Sequence, residues 1–346
     1  MVSTRADVLV VGAGVIGLTT ALRLARRGLD VMIWTSRETT ETCSFAAGAI
    51  FDPYMAEHRQ RDEWAAATRR EFERLHDEGH AWARQLHGVE ASRVPASAPA
   101  WALDLPDYRE CGLGELPPGF VSGWRYRSLL IEMPPYLAWL GHQLRDHGVD
   151  TRIRTVESLR AGFAEADIVV NCTGIGAHRL DPGETQMQPI RGQLVVLPNP
   201  GIGEFFVEHV PDPYLGETTY VLPQGDRLLL GGSAEKGVSA GQPDPEVSRR
   251  ILERCRAVLP QLAGIRPIGE RVGIRPHRAT VRLEHEDFGD HHVVHNYGHG
   301  GSGVSLSWGC ADAVAEIVAD IIEKSRPAAL GDDVRADATA PARTLM

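Results

Sequence analysis

The stretch ADVLVVGAGVIGLTTALRLARRGLDVMIW, residues 6 to 34, constrains the fold of this chain more than any other part of it. Val8 to Val11 are an unbroken apolar run, as a parallel strand buried on both faces requires. Gly12, Ala13, Gly14, Val15, Ile16 and Gly17 then give G-x-G-x-x-G. Leu18, Ala21, Leu22 and Ala25 recur at helical spacing, Gly28 ends the helix, and Val31 to Trp34 return as strand. This is a βαβ unit of about thirty residues, the context in which the glycine fingerprint binds a dinucleotide. Gly12 makes the tight turn, Gly14 lets a pyrophosphate approach the backbone, and Gly17 lets helix and strand pack closely. The helix start supplies unpaired N–H groups and partial positive charge. One part departs from the pattern. The second strand ends in Thr35, Ser36 and Arg37 where an acidic residue usually holds a ribose, and Glu38 comes late for that role. A standard NAD site is thereby disfavoured, and the fold is not.

The whole chain narrows the class further. Its 346 residues suit two domains or one large α/β domain. A net charge of -10 disfavours a nucleic-acid partner. No apolar run reaches the length of a membrane span, and the first strand begins too early to leave room for a signal peptide. The five cysteines are odd in number, scattered and never spaced CxxC, which argues against a disulfide scaffold or a metal site and for a cytoplasmic location. Only Lys236 and Lys324 could serve Schiff-base chemistry.

Along the rest of the chain, residues 63 to 86 read as a charged amphipathic helix and 94 to 119 as loop. Pro135 to His147 read as helix, and Asp150 to Val156 and the run ADIVVNCTG (166–174) as strands, the latter stopping at Thr173 where a ligand would sit. Residues 193–197, 204–210, 219–223 and 227–232 are strands with short turns, so an antiparallel sheet is expected. Glu246 to Leu262 read as helix, 271–284 as strand, and Val304 to Lys324 as a last helix. The fold class is therefore α/β, a Rossmann-like nucleotide-binding domain with an inserted, mainly antiparallel substrate domain. The expected division is 1–55, 136–185 and 286–326 for the nucleotide domain, 56–135 and 186–285 for the inserted one, and 327–346 as a polar tail. The segment ETCSFAAGAIFDPY (41–54) reads equally as a floor for a flat ring or as an ordinary turn.

GAGVIG, AAG…PY, VNCTG, RGQLVVL, GIRPHRATVRLE and HNYGHGGSGVSLSWG occur in the order that resembles the D-amino-acid oxidases, over about residues 6 to 322. The resemblance implies noncovalent FAD and a small-molecule D-amino acid oxidised by hydride transfer to flavin N5, with dioxygen as the final acceptor. The products would be a 2-oxo acid, ammonia and hydrogen peroxide. By motif position Arg275 is the grip on the substrate carboxylate, because a planar fork binds both oxygens at once. Tyr220 and, on a weaker match, Tyr214 would also meet the substrate, and the Gly301 carbonyl would receive its amino group. FAD would be held by Gly12, Ala13, Gly14, Val15, Ile16, Gly17, Ser36, Arg37, Cys43, Ser44, Ala47, Gly48, Val156, Thr173, Gly300, Gly301, Gly303, Val304 and Ser305. Oriented binding would do most of the catalysis, with no dedicated base.

No arginine lies between Arg191 and Arg227, and Ala234 stands where relatives acting on acidic substrates carry one, so neutral or apolar D-amino acids are expected. Ile50, Phe51 and the Tyr220 ring would suit their side chains. The alternative is a related FAD amine oxidase or dehydrogenase acting on glycine, sarcosine or acidic D-amino acids. From a different class, a flavin-binding module without catalysis is opposed by Arg275 and Tyr220. A metal site from His291, His292, His295 and His299 is not expected, since no helix presents them together. The residues leave assembly open, with a homodimer as the candidate.

Overall fold

The structure, a computed structural model, describes residues 5–53, 56–211, 216–239 and 241–325. The expected unit opens it: strand β1 (Val8–Val11), helix α1 (Val15–Arg26) and strand β2 (Val31–Thr35), with β1 and β2 paired in parallel. Both strands are buried throughout, which their Val, Ile and Leu content requires. A short helix α2 (Cys43–Ala46) precedes helix α3 (Arg61–Asp77) and strand β3 (Ala83–Ser92). After α4 (Ala100–Leu103) and β4 (Arg109–Glu110) come β5 (Ser122–Ile131), α5 (Met133–Asp146), β6 (Asp150–Ile153), β7 (Ile168–Asn171) and α6 (Ala177–Leu180).

The antiparallel part follows: β8 (Gln188–Pro198), β9 (Phe205–Glu208), β10 (Tyr220–Gln224), β11 (Arg227–Gly231) and β12 (Glu235–Lys236). Helix α7 (Pro245–Val258), β13 (Gly269–Asp287), β14 (His292–His299) and α8 (Gly303–Ser325) complete the described chain.

All strands join one sheet in the order β4-β5-β3-β9-β10-β11-β8-β13-β14-β7-β1-β2-β6, with β12 beside β8. The five strands from β14 to β6 are parallel, and the rest pair antiparallel except β3 with β9. β13 joins the two parts. Its first half pairs with β8, and after a bulge between His277 and Arg282 its second half pairs with β14. Helix α7 covers one face of the antiparallel part through Val247, Ile251 and Cys255. Helix α8 lies close on α3, where a Cβ at Gly309 would stand 2.3 Å from the Trp64 Cα, and the Gly309 N–H donates to Thr68 Oγ1. No helix among the described residues is long and apolar enough to cross a membrane.

Three expectations change. The helix expected over 63–86 ends at Asp77, because Gly79 takes a φ of +86° and turns the chain. The residues from Ala83 then form β3 between β5 and β9. Strand β5 was not expected, although Trp124, Tyr126 and Leu130 alternate along it and pack on one face. Helix α3, placed by the expected division in the inserted domain, buries Trp64, Ala65, Phe72 and Leu75 in the same core as α1 and α8.

Candidate active site

The C-terminal ends of the central parallel strands bring two helix starts together. β14 and β1 flank β7, so α8 and α1 begin on either side of the β7 end. Gly12 takes a φ of +117°, and a Cβ there would lie 2.4 Å from the Cys172 carbonyl oxygen. A Cβ on Gly17 would lie 1.9 Å from the Gly12 oxygen, so strand turn and helix touch backbone to backbone. Gly12, Gly14 and Ile16 are half-exposed, whereas Ala13, Val15 and Gly17 are buried. No side chain of the cap residue Gly14 closes the start of α1, and neither α1 nor α8 carries an acid in its first turn. Both starts thus retain the polarity that favours an anion.

Short contacts fix the loops around them. Ser44 Oγ accepts from the Val15 N–H at 2.9 Å, tying α2 to the start of α1. At the β7 end, Asn171 Oδ1 accepts from the Thr173 N–H at 3.2 Å and from its hydroxyl at 2.7 Å. Asn171 Nδ2 meets His295 Nδ1 at 3.3 Å, which gives that buried histidine a place in holding the turn. The Gly300 N–H donates to the Pro276 carbonyl at 2.9 Å, and Ser305 Oγ accepts from the Asp52 N–H at 2.9 Å. Val304 is buried, Gly303 half-exposed and Gly301 exposed. Cys43, Ser44, Ala47 and Gly48 are half-exposed, Val156 is buried near Trp34 and Met32, and Ser36 and Arg37 are exposed beyond β2.

Next to this crevice lies one face of the antiparallel part. Alternate residues of a strand share a face, so Arg271, Gly273 and Arg275 project to one side of β13. By the pairing register, Gly192, Gly231, Tyr220, Leu222 and Val207 lie on that same side. The face is cleared by glycines. A Cβ on Gly192 would stand 2.6 Å from the Arg275 guanidinium, and one on Gly231 would stand 2.0 Å from the Tyr220 ring. On Gly273 it would meet Cys43 Sγ at 3.1 Å, which brings α2 over this strand. Arg275 Nη1 donates to the Ser233 carbonyl at 2.8 Å, and among the described residues no carboxylate pairs with Arg275. Its neighbours on β13 differ: Arg278 pairs with Glu184 and Arg282 with Asp181, Glu284 and Glu286. Residues 271 to 278 are half-exposed in the middle of a sheet whose adjoining strands are largely buried.

Burial raises the Tyr220 hydroxyl above the ordinary phenol value while Arg275 pulls it down, so the hydroxyl keeps its proton. Burial likewise raises the Cys43 thiol, against Arg275. Burial pushes His299 down to about 3, helped by His58, and its Nε2 has no hydrogen-bond partner among the described residues.

The structure places Arg275, Tyr220, Cys43 and Gly48 close together. Tyr214 lies outside the described residues. Ile50, Tyr220 and Val207 pack on the cluster that contains Leu222, whereas Phe51 is buried in the core under α1 and α3, away from that cluster. Three features were missed. Gly192 was read only within the motif RGQLVVL and the pair Gly231–Gly232 only as part of a strand, although glycine inside a strand marks close approach. Arg271, four positions before Arg275, was legible from the period of two. Its Nη1 is buried without a partner among the described residues, and burial lowers its pKa.

The family model for FAD dependent oxidoreductases matches residues 7–317. A D-amino-acid oxidase from Streptomyces coelicolor is 42% identical over 315 residues, covering 90% of this chain and 96% of that one. The chain belongs to the D-amino-acid oxidase family of FAD-dependent oxidoreductases. A D-amino-acid oxidase from Rubrobacter xylanophilus is 40% identical over 317 residues, covering 90% and 95%. Among solved structures, the glycine oxidase of Geobacillus kaustophilus shares the fold, with a TM-score of 0.76 at 19% identity and coverage of 92% and 95%.

The residues present fit the cofactor of the family. Gly12 and Gly17 form a turn that a Cβ would fill, and two unacidic helix starts converge on one crevice. FAD carries a pyrophosphate for the first of these starts.

Proposed function

We propose that this chain oxidises neutral or apolar D-amino acids, with dioxygen and water, to 2-oxo acids, ammonia and hydrogen peroxide. The observation that carries the reading is Arg275, a guanidinium without a carboxylate partner among the described residues, held over Gly192 by the Ser233 carbonyl. A planar fork fixed on one side offers its remaining N–H groups to both oxygens of a substrate carboxylate. Tyr220, protonated and lying over Gly231, donates a further hydrogen bond to that carboxylate. The Gly301 carbonyl accepts from the substrate amine, so three points fix which face of the α-carbon is presented. FAD, when bound noncovalently, supplies the hydride acceptor. No acid–base pair is needed beyond this orientation, which is worth several powers of ten in rate. Ile50, Val207 and Leu222, of the same cluster as Tyr220, would give the side chain an apolar wall.

The pyrophosphate belongs at Gly12, Ala13, Gly14, Val15, Ile16 and Gly17, and the adenosine end at Ser36, Arg37 and Val156. The flavin ring would be held by Cys43, Ser44, Ala47, Gly48, Thr173, Gly300, Gly301, Gly303, Val304 and Ser305. Tyr214 is kept as a second substrate contact. The same reading keeps the two-domain division given above except that α3 goes with the nucleotide domain, together with a cytoplasmic location and a homodimer, which sedimentation would test.

The direct test is anaerobic mixing of the yellow protein with D- and L-alanine. Bleaching by the D-isomer alone is expected, and no bleaching by either would sink the reading. Replacing Arg275 by alanine should leave FAD bound and weaken substrate binding by about 2–5 kcal/mol, the cost of losing a buried charge partner. Higher kcat/KM for D-aspartate than for D-alanine, D-valine or D-phenylalanine would overturn the side-chain preference.

A further inference from the structure

Helix α7 reaches the substrate face from behind. Ile251, Arg254 and Cys255 stand three and four residues apart, so they share one stripe of the helix. Ile251 and Cys255 enter the core that holds Val221, Leu228 and Leu230. Tyr220, Leu222 and Leu229 project to the opposite face, the one that carries Arg275. Arg254 therefore acts on that face through backbone.

Its two terminal nitrogens go to different segments. Nη2 donates to the Gly232 carbonyl at 3.0 Å, and Nη1 pairs with Glu217. These two segments carry the substrate grip. Gly232 lies between Gly231, on which the Tyr220 ring rests, and Ser233, whose carbonyl holds Arg275 Nη1 at 2.8 Å. Glu217 comes three residues before Tyr220, and the Gly232 N–H donates to the Thr218 carbonyl between them. The flanks are fixed separately: Ser233 Oγ accepts from the Gln193 N–H, and Glu208 Oε2 from the Thr219 N–H, each at 3.0 Å. Burial raises the Tyr220 hydroxyl, and the charge of Arg254, after that of Arg275, opposes the rise.

Holding α7 to the sheet is a poorer account of Arg254. Val247, Ile251, Cys255, Val258 and Leu262 already bury the helix. The outer side of α7 has ion pairs of its own, Arg249 with Glu246 and Glu253, which stay within the helix. Arg249 is 53% exposed, whereas Arg254 is 22% and Glu217 29% exposed, so water screens the inner pair less.

We propose that Arg254 is a positioning residue for the substrate carboxylate: by holding the Gly232 carbonyl and Glu217 together it sets the Arg275 guanidinium and the Tyr220 ring. The proposal rests on the reading of Arg275 and Tyr220 as the carboxylate grip. A guanidinium takes both oxygens of a carboxylate only when its plane is set beforehand. When the Gly232 carbonyl loses its donor, its peptide turns to find another, and the Ser233 carbonyl that anchors Arg275 moves with it.

The test uses the FAD-loaded parent with Arg254→Met, Arg254→Lys and Arg249→Met. Two constants are read, KM for D-alanine and the Kd of propanoate, a carboxylate without an amine, by calorimetry. Arg254→Met should raise both about tenfold while kcat stays within about twofold, because the Gly301 carbonyl and the flavin are untouched. Glu217 keeps Arg250 as a partner in that variant, at 2.8 Å, so the change isolates the Gly232 bond. Arg254→Lys should fall between parent and Arg254→Met, since one ammonium serves a single segment well. Arg249→Met should change neither constant. If Arg254→Met leaves both constants at the parental values, or loses flavin and Tm together with them, Arg254 is a structural tie and the proposal falls. A parent that binds propanoate but oxidises no D-amino acid would sink the oxidase reading alone, and the propanoate comparison would still decide this one. A parent that binds no propanoate at millimolar concentration would overturn both.

Discussion

The two glycine-rich turns, Gly12 to Gly17 before α1 and Gly298 to Gly303 before α8, are alike in composition and differ in what their glycines are for. In the first, glycine is demanded by the protein itself. A side chain on Gly12 or Gly17 would run into backbone at 2.4 or 1.9 Å, and backbone cannot move aside. In the second, Gly298 and Gly300 have φ values of +88° and +54°, but a Cβ on Gly303 would meet only His299 Cβ at 3.7 Å, an ordinary contact. Packing does not explain Gly303, which leaves room there for the ligand approach proposed above. Similar motifs therefore have separate physical causes.

This contrast can be broken by substitution. Gly17→Ala should have the largest effect, above ~4 kcal/mol of stability, because turn and helix must separate. A soluble variant with the parental Tm and full flavin content would refute the packing argument. Gly298→Ala should cost about 1–3 kcal/mol, from a left-handed backbone and a Cβ 2.9 Å from the Arg278 Cβ, read by urea unfolding. Next comes acid. His299 is neutral in the fold with a pKa of about 3, so below the unfolded value near 6.5 the unfolded chain binds one more proton. Stability from this group is complete above about pH 6.5 and falls by up to about 1.4 kcal/mol per pH unit as pH is lowered towards 3. His299→Gln should flatten the decline between pH 6.5 and 5, and an unchanged slope would assign it to other groups. Gly303→Ala should change stability least, within about 0.5 kcal/mol, yet lower flavin affinity. Parental affinity would remove the ligand as its reason.

What could be read from sequence follows the same division. The parallel strands and α1 were legible because each is local: Val8 to Val11 announce a doubly buried strand, and Gly12 to Gly17 announce the turn after it. Arg275 and Tyr220 were legible only through motifs. Their meeting depends on register across β10, β11, β8 and β13, which no local period encodes. The error at 63–86 has a similar origin. Ala83 to Ser92 is a mixed polar run that becomes strand because β5 and β9 lie on either side, and tertiary pairing decides such segments.

The length of β13 has a consequence for the order of synthesis. This strand and β14 are central in the sheet yet nearly last in the chain, so β8 and β7 leave the ribosome with open edges between them. Until residue 299 has been made, the parallel and antiparallel pieces share no strand, and unpaired edges invite other chains. A chain stopped at residue 268 should therefore aggregate, and one that stayed monomeric and bound FAD would show that the first piece closes without the join. The same strand that carries Arg275 is the seam on which the two pieces meet, which makes substrate binding one of the last properties the nascent chain can acquire.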